Sequence, residues 1–331
     1  MTPRSRHVPT ALACALALAL AGCGGNENTL APHSHAQTTI THVFWIVFAF
    51  SCFGFGVICV LLFLGWWRRN QPSLPGGGGE RAATGVVIGA GVALPIVLLV
   101  ALFVYADLFA TKATSAPAKG SAQLTVYVTG HQFWWEVRYG NSTAVTANEI
   151  HVPVHTRVAV VTATADVIHS FWIPELNRKM DMIPGQTNRV LIDATSPGVY
   201  AGHCSEFCGL QHAHMVALVI AQPRAAFERW LAHNAKPAAV TTGPGAEAFR
   251  RDGCGDCHQV RGTEAHGLVG PDLTHFASRR TIAADILTND PAHLREWLRD
   301  PQGVKPGSKM PNLELPERDW RELQQYLESL R

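Results

Sequence analysis

Charge is scarce in this sequence. Of its 331 residues only 16% are Asp, Glu, Lys or Arg, and these cancel to a formal net charge of +2. The two signs are interspersed without a long patch of either, so nothing argues for a nucleic-acid partner. Also missing, from Gln123 to Ile220, is any helical period as long as the β-rich runs found there, which excludes a helical middle region. The low charge comes from apolar segments near the N-terminus. A chain of this length allows two or three domains.

Arg4 and Arg6 precede the apolar run Ala11–Leu20, which ends in Leu20-Ala-Gly-Cys23. Residues 1–22 thus read as a bacterial signal peptide with a resemblance to a lipobox, Cys23 becoming the lipidated first residue and Cys14 leaving with the signal. A plain signal peptide or a third membrane helix is the alternative, although the run is short for a span. Residues 23–37 follow as an N-terminal linker. Two longer uncharged stretches, Val43–Trp67 and Ala82–Ala106, can each cross about 30 Å of hydrocarbon as a helix, giving a transmembrane hairpin over 38–110. Trp66 and Trp67 form an interfacial belt, Cys52 and Cys59 read as packing residues, and Pro95 is expected to kink the second helix without breaking it. The short connection carries Arg68, Arg69 and Arg81 beside the glycines 76–79. The positive-inside rule places it in the cytoplasm and everything after the hairpin on the periplasmic face of the inner membrane.

Past a linker at Ala116–Gly120 come short runs at Gln123–Val128, Phe133–Tyr139, Arg157–Ala163, Arg189–Ile192 and Met215–Ile220, separated by turn residues. They predict a β-sandwich or barrel over 118–234, closed by a helix at Ala225–His233. Its chemistry is concentrated in Gly202–Met215, where two thiols, imidazoles and a thioether share one turn-rich loop. Thiolate and thioether are soft ligands and imidazole is borderline, a set that suits copper and not magnesium or calcium. His169 follows an alternating apolar run and would end a strand beside this loop. A Cys204–Cys208 disulfide with unrelated histidines is the alternative in an oxidising compartment, but it leaves the offsets of His212 and Met215 unexplained.

The pattern Cys204-Ser-Glu-Phe-Cys208-Gly-Leu-Gln-His212-Ala-His-Met215, with His169 before Ser-Phe-Trp upstream, resembles the copper A loop of cytochrome c oxidase subunit II. Gly130-His-Gln-Phe-Trp-Trp-Glu136 resembles that family's aromatic segment, and Lys179-Met-Asp-Met-Ile-Pro-Gly185 the stretch after its first histidine ligand. With the hairpin, the resemblance covers most of residues 38–222. It implies a cupredoxin-like Greek-key domain in which Cys204 and Cys208 bridge two copper ions, with His169 and His212 as terminal ligands. Met215 and the Glu206 carbonyl would be weak axial ligands, and the Glu206 side chain would reach a magnesium ion at the subunit I interface. Two shared thiolates delocalise one unpaired electron over both metals, so little geometry changes with redox state. His203 and His214 flank the pattern and read as exposed or interface imidazoles. In many relatives a Trp opens the aromatic segment and takes in electrons from cytochrome c. Here Phe133 stands in that place, followed by Trp134 and Trp135, and plain strand packing is the alternative reading of Phe133.

Nearer the C-terminus, Cys254-Gly-Asp-Cys257-His258 is the CxxCH pattern of covalent haem attachment, with His258 placed to ligate iron from one face. Met310, in Gly307-Ser-Lys-Met-Pro311, resembles the distal methionine of small cytochromes c, and a His/Met pair raises the haem potential. Pro271 matches those proteins' proline whose carbonyl orients the proximal imidazole. Zinc held by Cys254, Cys257, His258 and His266 is the alternative. His266, His275 and His293 read as surface residues. Residues 235–245 form a second linker, and beyond it the pattern is helical: Ala246–Arg251, His293–Leu298 and Glu317–Leu330, the last placing Trp320, Leu323, Leu327 and Leu330 on a core face. Residues 246–331 thus resemble an all-α class I cytochrome c.

Together the resemblances imply a multidomain subunit II of caa-type oxidase carrying binuclear copper A and covalently bound haem c. Electrons would come in at the haem, pass to copper near the aromatic segment and leave toward haem a of subunit I. There the family reduces dioxygen to water while protons are pumped. Subunit III, membrane lipid and an external cytochrome c are the other implied partners. This chain offers no dioxygen site of its own. A copper A subunit of another terminal reductase, such as a nitric oxide reductase, is the alternative. Intact copper ligands argue against a quinol oxidase, and a copper-delivery protein would have no use for haem.

Overall fold

The computed structural model describes residues 25, 27–70 and 79–331. The signal-peptide reading, Cys23 included, and glycines 76–78 lie outside them. The first helix, α1 (His35–Arg68), starts where Ser34, in extended backbone, accepts the Gln37 N–H on its side chain. The same hydroxyl donates to the Leu176 carbonyl at 2.6 Å. His33 accepts from the Thr195 main chain and side chain at 2.8 and 2.9 Å. With Ser34, Ala36 and Gln37 buried, the last part of the expected linker is packed onto the β domain.

The returning helix α2 (Glu80–Thr114) has 35 residues and α1 has 34. At about 1.5 Å per residue each is roughly 50 Å long. The expected spans are therefore the apolar centres of longer rods. Their flanks, such as Phe53, Leu62, Val97 and Phe103, are exposed on the isolated chain, as lipid-facing residues must be. In α2 the bonding widens to a π-type turn over Gly89–Ala93 just before Pro95. Proline has no N–H to offer the preceding turn, and the wider turn absorbs that gap while the helix runs on.

Ten strands follow: β1 (Leu124–His131), β2 (Trp134–Tyr139), β3 (Val145–Ala147), β4 (Glu149–Pro153), β5 (Val158–Thr164), β6 (His169–Phe171), β7 (Met180–Met182), β8 (Asn188–Ile192), β9 (Gly198–His203) and β10 (Val216–Gln222). One sheet runs β3-β2-β1-β5-β8, a second β4-β10-β9, and β6 pairs with β7. β1 lies parallel to β5 and β4 parallel to β10, so the chain crosses between layers in the Greek-key manner. Alternation does the burying: Val126 and Val128 are fully buried while Tyr127 between them is 45% exposed. The core they enter also holds Trp135, Phe171, Met182, Met215, Cys204 and Cys208, so the thiols cap the apolar interior. His169 opens the short strand β6 and does not end the preceding one, which stops at Thr164.

After α3 (Arg224–Asn234) the C-terminal domain comprises α4 (Pro244–Arg251), α5 (Cys254–Cys257), α6 (Pro291–Arg299), α7 (Pro301–Val304) and α8 (Glu317–Ser329). A two-stranded ribbon, β11 (Thr281–Ile282) and β12 (Leu287–Thr288), interrupts the helical pattern. Its turn holds Ala283, Ala284 and Asp285 at φ +55°, +61° and +72°, a left-handed run without glycine that costs about 1–2 kcal/mol per residue. Leu323, Leu327 and Leu330 are buried as expected and Trp320 packs at the edge of the same core. Tyr326 joins them, meeting Phe249 edge-on at 5.7 Å. His275 is not a surface residue. It is 5% exposed, with Nδ1 and Nε2 each 3.0 Å from a carbonyl, of Arg331 and Lys236 respectively. Its ring thereby ties the chain end to the segment after α3.

Candidate metal centres

β9 delivers the chain to Cys204, whose N–H donates to the Met215 carbonyl at 3.0 Å and closes the loop against the start of β10. The His212 N–H donates to Gly209 at 3.1 Å and turns His212 inward. Cys204 and Cys208 then stand with sulfurs 3.8 Å apart, well beyond the roughly 2.05 Å of a disulfide, and both are free thiols. Around them converge His169 Nδ1, 3.7 Å from the Cys204 sulfur, and His212 Nδ1, 3.7 Å from the Cys208 sulfur. The Met215 thioether lies 3.9 Å from Cys208, and the Glu206 carbonyl 3.2 Å from Cys204. Among the described residues, His169, Cys204 and Cys208 are the group whose ligand atoms gather within 4.8 Å. The Glu206 side chain is half-exposed beside Lys179 at 3.8 Å. His203 pairs with Glu27 and His214 with Gln211, outside the cluster.

His169 is fully buried, and its Nε2 sits 2.9 Å from Asp166 Oδ1. A carboxylate can only accept, so it fixes the proton on Nε2 and leaves the Nδ1 lone pair facing the thiols. The sequence alone assigns Asp166 no role; a carboxylate three residues before the histidine is the available signal. Burial works against its charge, but the Gln132 N–H, His169 and the Val167 N–H hold its pKa below the usual value. The hydrogen bond from Cys208 pulls the Cys204 thiol down against burial, with His169 assisting, while Cys208 is raised beside that thiolate. Two soft sulfurs, each facing its own imidazole, with a thioether and a carbonyl outside, form a donor set that fits a pair of copper ions.

The second centre is built on α5. The His258 N–H closes the helix onto Cys254 at 2.9 Å, and His258 Nδ1 lies 2.8 Å from the Pro271 carbonyl. Because that carbonyl only accepts, Nδ1 carries the proton and the Nε2 lone pair is left free to ligate a metal. Burial holds the imidazole below its usual pKa, keeping it neutral. Gly270 makes the fit possible: a Cβ there would stand 2.5 Å from the His258 ring. The ring opens onto a cavity, partly open to solvent, that is also lined by Cys254, Cys257 and Met310. Leu273, Phe276, Ile282 and Trp297 make its walls apolar. A flat apolar group anchored through two thiols and a free imidazole nitrogen fits these residues, and haem is such a group. The zinc alternative fails, since Cys254, Cys257, His258 and His266 form no ligand cluster and His266 is exposed.

The remaining wall of this cavity comes from the β domain, through Gln132, Phe133 and Trp134. Phe133 and Trp134 are buried against it, Trp134 stacked on His131 at 4.4 Å, while Trp135 lies edge-on to His169 at 5.9 Å. The loop leading to Met310 runs along the thiol loop. Lys305 donates to the Phe133 and His214 carbonyls, Gln211 donates to Pro306 at 2.8 Å, and Lys309 pairs with Asp166 at 3.3 Å. At Gly307 (φ +82°) a Cβ would come within 2.8 Å of Leu210. Farther along, Arg261 donates to Thr143 and Asn234, and the Arg280 N–H to Glu149.

Residues 141–222 match the family described as cytochrome C oxidase subunit II, periplasmic domain, and residues 243–331 match cytochrome c. The chain is 33% identical to cytochrome c oxidase subunit 2 of Alkalihalophilus pseudofirmus over 99% of its own length and 97% of that protein's. It belongs to the cytochrome c oxidase subunit II family. The subunit 2 of Bacillus sp. strain PS3 is 34% identical over 72% of each chain. Among solved structures, the periplasmic domain of subunit II from Bradyrhizobium japonicum is 30% identical, covering 36% of this chain and 96% of that one with a TM-score of 0.34. Membership makes the chain part of a haem-copper oxidoreductase that associates with subunit I. Its two matched domains imply copper A and haem c. Its two long apolar helices accord with a membrane protein.

Proposed function

We propose that this chain is the electron-receiving subunit of a caa-type cytochrome c oxidase. Cys254 and Cys257 would hold haem c covalently, with His258 and Met310 as iron ligands. His169, Cys204, Cys208, His212, Met215 and the Glu206 carbonyl would hold the copper pair. Bound there, the two groups would supply one-electron chemistry, passing electrons from the haem side to the copper side and on toward subunit I for proton-pumping reduction of dioxygen. What supports this most is the docking of the Met310 loop onto the thiol loop. Phe133 and Trp134 would carry the electron across, since they wall the haem cavity from the copper side. Trp135, behind them, would buttress His169.

The half-exposed Glu206 carboxylate would contribute to a magnesium site against subunit I. Arg68, Arg69 and Arg81 would hold the helix connection in the cytoplasm, leaving both redox domains periplasmic, with subunit III and an external cytochrome c as further partners. The test is to purify the full chain from a haem-attaching host, load it with copper and measure metal content, paramagnetic resonance and flash-triggered reduction. Two coppers per haem with a delocalised mixed-valence signal, reduced through the haem, is the expected result. A single mononuclear copper, or copper that the reduced haem cannot reach, would overturn the reading.

A further inference from the structure

One buried cation between the domains belongs to neither ligand set. Lys305, just after α7, is 3% exposed. Its ammonium has three protons and directs each to a main-chain carbonyl: Phe133 at 2.9 Å, His214 at 3.0 Å and Ala283 at 2.9 Å. These carbonyls belong to three different segments. Phe133 is in the turn between β1 and β2 that walls the haem cavity, His214 lies in the thiol loop, and Ala283 opens the left-handed turn of the C-terminal ribbon.

We propose that Lys305 is the positioning residue of the electron-transfer junction: its ammonium clamps these three segments into one arrangement and so fixes the gap between the haem cavity and the thiol cluster. This rests on the electron route proposed above. The Ala283–Asp285 turn gives independent support. Three consecutive non-glycine residues at positive φ persist only where their surroundings over-determine them, and the Lys305–Ala283 bond is such a restraint. Among the described residues no carboxylate pairs with it, and burial pushes its pKa down to about 7 although the Cys208 sulfur acts the other way. A side chain placed only to fill space would not hold a desolvated ammonium there. Lys305 touches neither set of ligands, so its removal leaves both centres chemically complete.

The test compares the full-length holoprotein with Lys305→Met, which keeps the bulk and removes every donor, and Lys305→Gln, which keeps two donors without charge. Three quantities are read: the flash-triggered haem-to-copper transfer rate, haem and copper content with their spectra, and amide hydrogen exchange at residues 283–286 and 133–134. Lys305→Met is expected to retain both centres and their spectra, to transfer roughly tenfold more slowly or worse, and to exchange faster in both segments, with Lys305→Gln between. An unchanged rate overturns the inference, as does slower transfer with unchanged exchange. If Lys305→Met does not assemble, Lys305→Gln is judged by the same criteria. Absence of transfer in the unsubstituted chain would instead sink the electron route itself.

Discussion

Removing the Asp166 carboxylate tests the thiol site most sharply, because no proposed copper ligand is altered. In Asp166→Ala the His169 Nε2–H loses its partner at 2.9 Å, and with the ring itself fully buried, water could reach it only through the partly exposed space the carboxylate leaves. An unsatisfied buried donor costs about 1–3 kcal/mol. If that cost falls on the orientation of His169, copper affinity drops roughly five- to 150-fold, since about 1.4 kcal/mol is tenfold. That range contains the 10–100-fold loss usual when the partner of a ligating histidine is removed. The Gln132 N–H and Lys309 lose the same carboxylate, so the domain contact loosens as well. Affinity is read by chelator competition, with the resonance spectrum as a second reading. The expected variant binds copper with the wild-type stoichiometry, more weakly and with altered hyperfine coupling. Asp166→Asn, which keeps an acceptor for Nε2–H, should recover most of the loss. Wild-type affinity in Asp166→Ala would refute the argument that this carboxylate sets the imidazole.

Four further outcomes follow from the geometry. Gly270→Ala would drive a Cβ into the His258 ring, so haem should stay attached through Cys254 and Cys257 but lose its low-spin spectrum, at an overpacking cost of about 1–3 kcal/mol in thermal stability. Cys204→Ser should abolish the mixed-valence copper signal and spare the haem spectrum; a surviving signal would remove Cys204 as a bridge. Asp166 has a folded pKa below its unfolded value near about 4, so its stabilisation of the metal-free chain is complete above that pH and is lost as pH falls through the folded value. Melting temperatures across that acid window should decline less in Asp166→Asn. Leu323→Ala, emptying a site 2% exposed in the haem-domain core, should cost about 2–5 kcal/mol in that domain's denaturant unfolding.

The ligands were legible because metal chemistry constrains residue type and spacing together: Cys204, Cys208, His212 and Met215 could be named from their offsets. Long apolar runs gave the helices, and the spacing of Leu323 and Leu327 gave a core face. Strands such as β3, β6 and β7 are three residues long, too short for a period of two to declare itself, which is why His169 was expected at a strand end. His275 lies between Thr274 and Phe276, and one apolar neighbour does not separate a buried imidazole from an exposed one. Asp166, Lys305, Arg261 and Glu149 read in sequence as scattered charge: Asp166 has one near partner in the His169 ring, but the Gln132 N–H and Lys309 that it also holds, and the carbonyls and amides that the other three meet, are distant in sequence.

That last group decides how the two redox domains work together. A cytochrome on a loose tether would sample many orientations and raise only the local concentration of donor. Residues 235–245, composed like a tether, are fastened instead: Ala235 accepts from Arg261, Lys236 from the buried His275 ring, and Ala238 is buried in the haem-domain core. Pro306 and Lys309 continue the attachment beside Met310. The aromatic wall of the haem cavity and the backing of His169 are consecutive residues of one segment, Phe133 to Trp135. A carrier that must meet its acceptor by diffusion benefits from a steering charge field. On the proposed route the haem domain is already docked against the thiol loop, so the haem-to-copper step needs no such field.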